Sequence, residues 1–179
     1  MEADEFLARL KATKPADELS LDDVSLNEKS QASRLARDIR SKAISLLARR
    51  EHSFQELESK LRRSFSDEPM VLEQLQVLAD EGLQSDQRYA EIAVRSGLTK
   101  FHGLSRIKNQ LRSNGISASL IEQAVVEADV NWVEQLQQLS LRKYGDTPCE
   151  DMKEKAKRIR FFQYRGYPLS DIYAVLDGR

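Results

Sequence analysis

Apolar residues recur at helical spacing through nearly the whole chain. Leu35, Ile39, Ala43, Leu46 and Leu47 predict a first long helix from about Ala32 to Arg50, and Ser25-Leu26-Asn27-Glu28 has the form of a capping box at its start. Ser53-Phe54-Gln55-Glu56 is a second capping box, opening a helix that presents Leu57, Leu61 and Phe65. After the turn Ser66-Asp67-Glu68-Pro69, the residues Val71, Leu72, Leu75, Leu78 and Ala79 mark a third helix, which Gly82 ends. Three more follow: Tyr89, Ile92 and Ala93, then Leu104, Ile107 and Leu111, then a helix capped by Ser117 with Leu120, Ile121, Ala124, Val125 and Ala128 inward. The last three carry Val133, Leu136, Leu139 and Tyr144, then a stretch entered through Thr147-Pro148-Cys149-Glu150 and running to Tyr164, then Leu169, Ile172, Val175 and Leu176. Val, Ile and Thr form no alternating runs, so the pattern predicts an all-α protein without strands.

The nine predicted helices repeat in threes. Arg165-Gly166-Tyr167-Pro168-Leu169-Ser170-Asp171-Ile172 echoes Asn114-Gly115-Ile116-Ser117-Ala118-Ser119-Leu120-Ile121. Phe162 and Leu111 stand four residues before their glycines, and Leu176 and Val125 stand ten after. A fainter copy surrounds Phe65, with Ser64 in the glycine's place. Such an echo predicts three tandem three-helix repeats, each too small to bury a core alone. Their bounds read as 31–83, 84–129 and 130–179, behind an acidic, partly flexible leader at 1–30. Within the leader, Phe6, Leu7 and Leu10 suggest a short helix from Glu2 to Leu10, and Pro15 opens a tether. Trp132 reads as a packing residue between repeats.

Composition supports this and narrows the function. Charged residues make up 32% of the 179, and there are only 7 Gly and 4 Pro to interrupt helices. Net charge is −1, but residues 1–33 hold eight acids and four bases, which leaves a mildly basic body. No run reaches transmembrane length and the acidic start lacks a signal-peptide core, so a cytoplasmic protein without membrane contact is expected. Cys149 is the lone cysteine, so no internal disulfide forms. With His52 and His102 far from it in sequence, it makes a poor nucleophile pair; one Cys and two scattered His also fall short of a metal-ligand set. No GxxxxGK[ST] run is present. The expectation is a non-enzyme without cofactor, with His52 as a turn-packing residue.

The signal that remains is charge on the second helix of each repeat. Lys60, Arg62 and Arg63 lie on the first, Arg106, Lys108 and Arg112 on the next, and Lys157, Arg158, Arg160 and Arg165 on the last, beside Tyr164. Stacked in register, these would form a stripe able to follow phosphates or meet an acidic protein groove; taken singly, each is an ordinary solvated helix face. Among Phe161, Phe162, Tyr164 and Tyr167 most should be core, with one exposed aromatic anchor.

The chain also resembles the RecX family of RecA regulators, over roughly residues 34 to 177. The residues that carry the likeness are Arg49, His52-Ser53, Glu56-Leu57 and Lys60-Leu61; Gly82-Leu83, Asp86, Arg88 and Tyr89; Gly103, Arg106-Ile107, Leu111 and Gly115-Ile116; Trp132, Lys143-Tyr144-Gly145, Lys157, Arg160-Phe161 and Tyr164-Arg165-Gly166-Tyr167. The family usually places Gly-x-Gly-Pro before the Arg-Ile pair, where this chain has Phe101-His102-Gly103-Leu104-Ser105. The resemblance implies a curved, elongated monomer of three-helix repeats. It also implies binding to the RecA–DNA nucleoprotein filament, with inhibition of filament growth, ATPase, strand exchange and co-protease activity; DNA itself would be a weak, electrostatic partner. Two other readings stay open from the residues alone: a stand-alone DNA-binding regulator of helix-turn-helix type, and a helical scaffold for another protein.

Overall fold

The computed structural model describes residues 21–147 and 151–178, with side chains from Asn27 onward. Within the described residues there are nine helices and no strand. In chain order they are α1 (Leu21–Leu47), α2 (Phe54–Arg62), α3 (Glu68–Asp80), α4 (Asp86–Thr99), α5 (Leu104–Ser113), α6 (Ala118–Glu127), α7 (Trp132–Tyr144), α8 (Met152–Arg165) and α9 (Leu169–Leu176). The chain divides into two units, residues 1–38 and 39–179. The first contributes helix from Leu21; the second completes α1 and holds α2–α9. This is an all-α chain of three-helix repeats.

Most helices start where a short polar side chain can take up a free amide. Ser53 accepts from the Glu56 N–H (3.1 Å), Asp67 from Met70 (3.0 Å), Ser117 from Leu120 (3.4 Å) and Asn131 from Glu134 (3.1 Å). Two starts differ from the sequence expectation. Helix α1 is under way by Leu21, so Ser25 lies inside it; no Gly or Pro between Leu21 and Leu47 interrupts it. Helix α8 begins at Met152, not at Thr147-Pro148. Its cap is Asp151, whose carboxylate accepts the Lys153 N–H (3.1 Å), while the Thr147 carbonyl accepts from Arg158 instead (3.0 Å). Pro148 and Cys149, like the short leader helix and the start of the tether at Pro15, lie outside the described residues; the remainder of that tether, expected to run to Lys29, is helix from Leu21 onward.

Each of the last two triplets has a core that an aromatic of the neighbouring triplet helps to cover. In the second, Tyr89, Ala90 and Val94 of α4 meet Ile107 and Leu111 of α5 and Ile121 and Ala124 of α6. In the third, Leu136 and Leu139 meet Phe162, Tyr167 and Ile172. Burying one such side chain is worth roughly 1.5–3 kcal/mol. Neighbouring triplets also trade aromatics. Trp132, at the start of α7, packs on the second core, and Phe101, from the turn before α5, packs on the third. Phe101 does so at φ +54°, a left-handed conformation rare for an aromatic residue.

The two echoed glycines mark the junctions. Gly115 has φ +79°, and a Cβ there would lie 2.5 Å from Gln55 Oε1, at the start of α2. Gly166 has φ +95°, and its Cβ would lie 2.5 Å from the Cβ of Arg106, at the start of α5. In both cases the end of one repeat's second helix abuts the beginning of the preceding repeat's second helix. Glycine answers two demands there: a left-handed backbone and no side chain in the gap.

Candidate partner-binding surface

Ion pairs decide which basic residues remain available. In the first repeat, Arg62 lies between Glu58 (2.8 Å) and Glu68 (3.1 Å), and Lys60 is 3.7 Å from Glu56. Arg63 is exposed at the end of α2. In the second, Lys108 is paired with Glu122 of α6 at 2.6 Å, and the exposed Arg112 donates to Asn109 (3.3 Å). In the third, Arg158 is only 7% exposed: it bonds Glu154 (3.3 Å) and the Thr147 carbonyl, and its guanidinium sits 4.5 Å from the Tyr144 ring centre. That environment gives Arg158 a packing role.

Uncompensated positive charge gathers instead where the second and third repeats meet. Arg106 donates to the Tyr164 carbonyl (3.1 Å) and lies 5.0 Å from the centre of the Tyr164 ring. Arg165 donates to the Lys100 carbonyl (2.7 Å) and stands 5.3 Å from the Phe161 ring; Lys143 approaches the same ring at 4.6 Å. Arg142 lies 5.7 Å from the Phe101 ring. Among the described residues, no carboxylate forms an ion pair with Arg106, Arg142, Lys143, Arg160 or Arg165. Cation–ring contacts hold several of these groups in place without neutralising them. His102 reports the resulting field: burial, then Arg106, Arg165 and Lys100, depress its pKa below the ordinary value.

Along α8 the exposed positions Lys153, Lys157, Arg160 and Tyr164 follow one another at spacings of four, three and four, so they line a single face. Lys157 has only a distant contact with Glu154 (3.9 Å), a carboxylate that also serves Arg158. Tyr164 is 74% exposed, whereas Phe162 and Tyr167 are buried and Phe161 is half-buried. It is the exposed aromatic expected of this cluster. The sequence reading joined the basic helices across repeats; the structure adds Lys100, Arg142 and Lys143, which come from outside those helices. Of these, only Lys143 had a sequence signal, in Lys143-Tyr144-Gly145.

Two clefts of about 350 Å³ flank the repeats, one walled by Arg50, Glu56, Tyr89 and Lys100, the other by Ser140, Leu141, Arg158 and Leu176. Neither brings a nucleophile to a histidine. No group of three or more potential metal ligands occurs among the described residues. His52 is 3% exposed and packs before the Ser53 cap, 3.0 Å from Glu56 through Nδ1, with its pKa lowered by burial. No helix among the described residues is long and apolar enough to cross a membrane.

Comparison with known proteins places this geometry. Two family models match: "RecX, second three-helix domain" over residues 85–125 and "RecX, third three-helix domain" over residues 129–176. The chain is 38% identical over 141 residues to the regulatory protein RecX of Pseudomonas putida, covering 79% of this chain and 90% of that one. It is 40% identical over 141 residues to RecX of Pseudomonas syringae pv. tomato (79% and 91%) and 40% over 138 residues to RecX of Acinetobacter baylyi (77% and 86%). Among solved structures, RecX from Lactobacillus salivarius aligns with a TM-score of 0.65 at 23% identity, covering 80% of this chain and 95% of that one. A second crystal structure of a regulatory protein RecX aligns at 0.72 and 21% identity (99% and 88%).

Proposed function

This chain belongs to the RecX family of regulatory proteins, which are not enzymes, and from that premise we propose that it is a negative regulator of RecA. In this reading it acts in the cytoplasm as a monomer. It binds the RecA–DNA nucleoprotein filament and inhibits filament growth, and through that ATP hydrolysis, strand exchange and co-protease activity. The observation that supports it is the uncompensated cationic surface where the second and third repeats meet, with Arg106 and Arg165 at its centre, the exposed Tyr164 beside them, and Arg160 one turn before Tyr164 on the exposed face of α8. A filament of protein and phosphate is a polyanion, and a cationic face without internal partners is free to meet one. The paired Arg62 and Lys108 would contribute less, since their carboxylates must be displaced first.

The test is RecA's single-stranded-DNA-dependent ATPase, with the chain added either together with RecA or after filaments have formed. Inhibition should be stronger on simultaneous addition, as expected for blocked growth. Charge reversal of Lys157 and Arg160 together should abolish inhibition while the far-ultraviolet circular dichroism stays unchanged. Full inhibition by that folded variant refutes this surface as the contact.

A further inference from the structure

We propose that the cleft at the C-terminal end of α7 binds an aliphatic α-amino acid as its zwitterion, with the carboxylate on Arg158, the ammonium on Asp146 and the side chain against Leu141, Val175 and Leu176. The cleft lies within the third repeat and holds about 350 Å³, at the small end of binding pockets and suited to a ligand of this size. The second repeat shows what the fold alone requires there. Between its first and third helices is a smaller cleft, of about 260 Å³, walled by Glu91, Arg95 and Ala124. Counted from the caps Ser85 and Asn131, Glu91 and Gln137 both stand six residues on, and Arg95 and Leu141 both stand ten on. Counted from Gly115 and Gly166, Ala124 and Val175 both stand nine on, and Ile107 and Arg158 both stand eight before. At these matched positions the third repeat exchanges the Glu91–Arg95 pair for glutamine and leucine, and the buried Ile107 for a buried arginine.

An aliphatic side chain fills that core position in the second repeat, so the fold does not require a charge there. What Arg158 brings beyond packing is its donors. Burying a charge is costly unless those donors are used. Glu154 takes one N–H at 3.3 Å and the Thr147 carbonyl takes another at 3.0 Å. The first is long for a charge-assisted bond, which is typically about 2.7–2.9 Å. The remaining N–H groups of the fork are unclaimed by any described residue, and a carboxylate is the group whose geometry they match. Asp146 supplies the other charge. It follows Gly145, the C-cap of α7, is exposed, and forms no ion pair among the described residues. The negative end of the α7 dipole adds to its pull on a cation. Arg158 binds the carbonyl of the very next residue, so the two charges stand close together. A simple anion on Arg158 would face Asp146, and a simple amine on Asp146 would face Arg158. A molecule that carries both charges a few bonds apart satisfies both. The exposed Leu141, with the half-buried Val175 and Leu176, forms an apolar wall that a branched aliphatic side chain would cover.

The experiment is isothermal titration calorimetry of the full chain with L-leucine. A Kd on the order of 0.1–1 mM is expected for a ligand of this size in an open cleft. Isocaproate, which lacks the ammonium, and isoamylamine, which lacks the carboxylate, should each bind about tenfold more weakly or worse. Glycine, which lacks the apolar part, should also lose about tenfold. Asp146→Asn should weaken leucine by about tenfold. Leu141→Ser should narrow the gap between leucine and glycine. Both residues are exposed, so these variants should fold as the parent does, which circular dichroism checks. In nitrogen-edited NMR the Arg158 Nε–H signal should move when leucine is added, which locates the carboxylate without a variant that risks the core.

No binding of leucine up to about 20 mM overturns the site. Equal affinity for glycine and leucine does so too, since the apolar wall would then have no role. Unchanged affinity in Asp146→Asn, or leucine bound without movement of the Arg158 signal, has the same force. N-acetyl-leucine separates two sources of an aliphatic carboxylate. It should bind about tenfold more weakly than leucine, because its nitrogen carries no charge for Asp146. If it binds equally well, the cleft takes the C-terminal residue of another polypeptide and the amino-acid site is refuted.

Discussion

The amide of Gly103 donates to the carbonyl of Arg165 at 2.8 Å, and Ser105 donates to Gly166 at 3.2 Å. Free N–H groups at the start of α5 thus meet free carbonyls at the end of α8, and each helix end supplies what the other lacks. The contact is possible because both backbones approach without side chains between them: a Cβ on Gly103 would lie 2.5 Å from the carbonyl carbon and oxygen of Gly166.

Gly103→Ala therefore isolates the steric demand, because Gly103 has φ −74°, which alanine adopts freely. It should destabilise the chain by roughly 1–3 kcal/mol, as overpacking does. Gly166→Ala should cost more, since it adds about 1–2 kcal/mol for a left-handed backbone. Gly82→Ala is the control: its φ is +71° but nothing lies within 4 Å of the added carbon, so only the backbone cost remains. Urea unfolding midpoints should rank Gly166→Ala below both others. Equal midpoints for all three would contradict a tight junction.

Arg158 and Arg160 are two residues apart and should behave oppositely. Arg158→Ala removes a buried guanidinium from Glu154, the Thr147 carbonyl and the Tyr144 ring, at a cost of roughly 2–4 kcal/mol. Arg160→Ala takes an exposed side chain from the surface and should stay within about 0.5 kcal/mol of the parent. In the ATPase assay the order reverses, with Arg160→Ala the weaker inhibitor once Arg158→Ala is measured below its own melting range. A stable Arg158→Ala chain would disprove the packing role.

Arg88 should anchor the first junction in the same sense. Its Nε donates to Glu51 (2.8 Å), and its two terminal nitrogens donate to the Gly82 and Leu83 carbonyls (2.9 and 3.0 Å). Arg88→Ala should cost roughly 2–3 kcal/mol, because the half-buried Glu51 is left without its cation. Arg88→Lys should recover only part of this, as a single ammonium cannot span three acceptors set around a planar fork. Full recovery by lysine in a urea titration would show that charge alone matters there.

How legible this was in the sequence follows from range. The caps at Ser53 and Ser117 and the breaks at Gly115 and Gly166 are local chemistry, and they fell where the pattern put them. The start of α8 was misread because Thr147-Pro148 and Asp151 are both sound openings, and only the folded chain commits the Thr147 carbonyl to Arg158. Charge availability was the least legible property. Lys108 is neutralised by Glu122, fourteen residues away on another helix, and Arg62 by Glu68 across a turn. The cluster around Phe101 and Phe161 draws Lys100 from the end of α4 and Arg142 and Lys143 from α7, so no spacing rule could gather it.

Acid should weaken the fold first through its two histidines. His52 and His102 occupy matching places, each just before the cap of a second helix, and burial lowers both pKa values below the ordinary 6.5. Around His52, Glu56 favours the proton while Arg50 and Lys60 oppose it; around His102, Arg106, Arg165 and Lys100 all oppose it. As pH falls through 6.5 the unfolded chain takes up protons that the folded chain refuses, so the unfolded state binds more and stability drops with acid. Glu56 acts lower down. Burial pushes its carboxyl up, but Arg50 and His52 outweigh this and leave it below its ordinary 4.5, so its contribution disappears only under stronger acid. The unfolding midpoint should therefore decline between about pH 7.5 and 5.5 in the parent chain, and stay nearly level across that range in a His52→Gln, His102→Gln double variant. A parent midpoint that rises on acidification would mean the histidines gain protons on folding, the reverse of what their burial among cations requires.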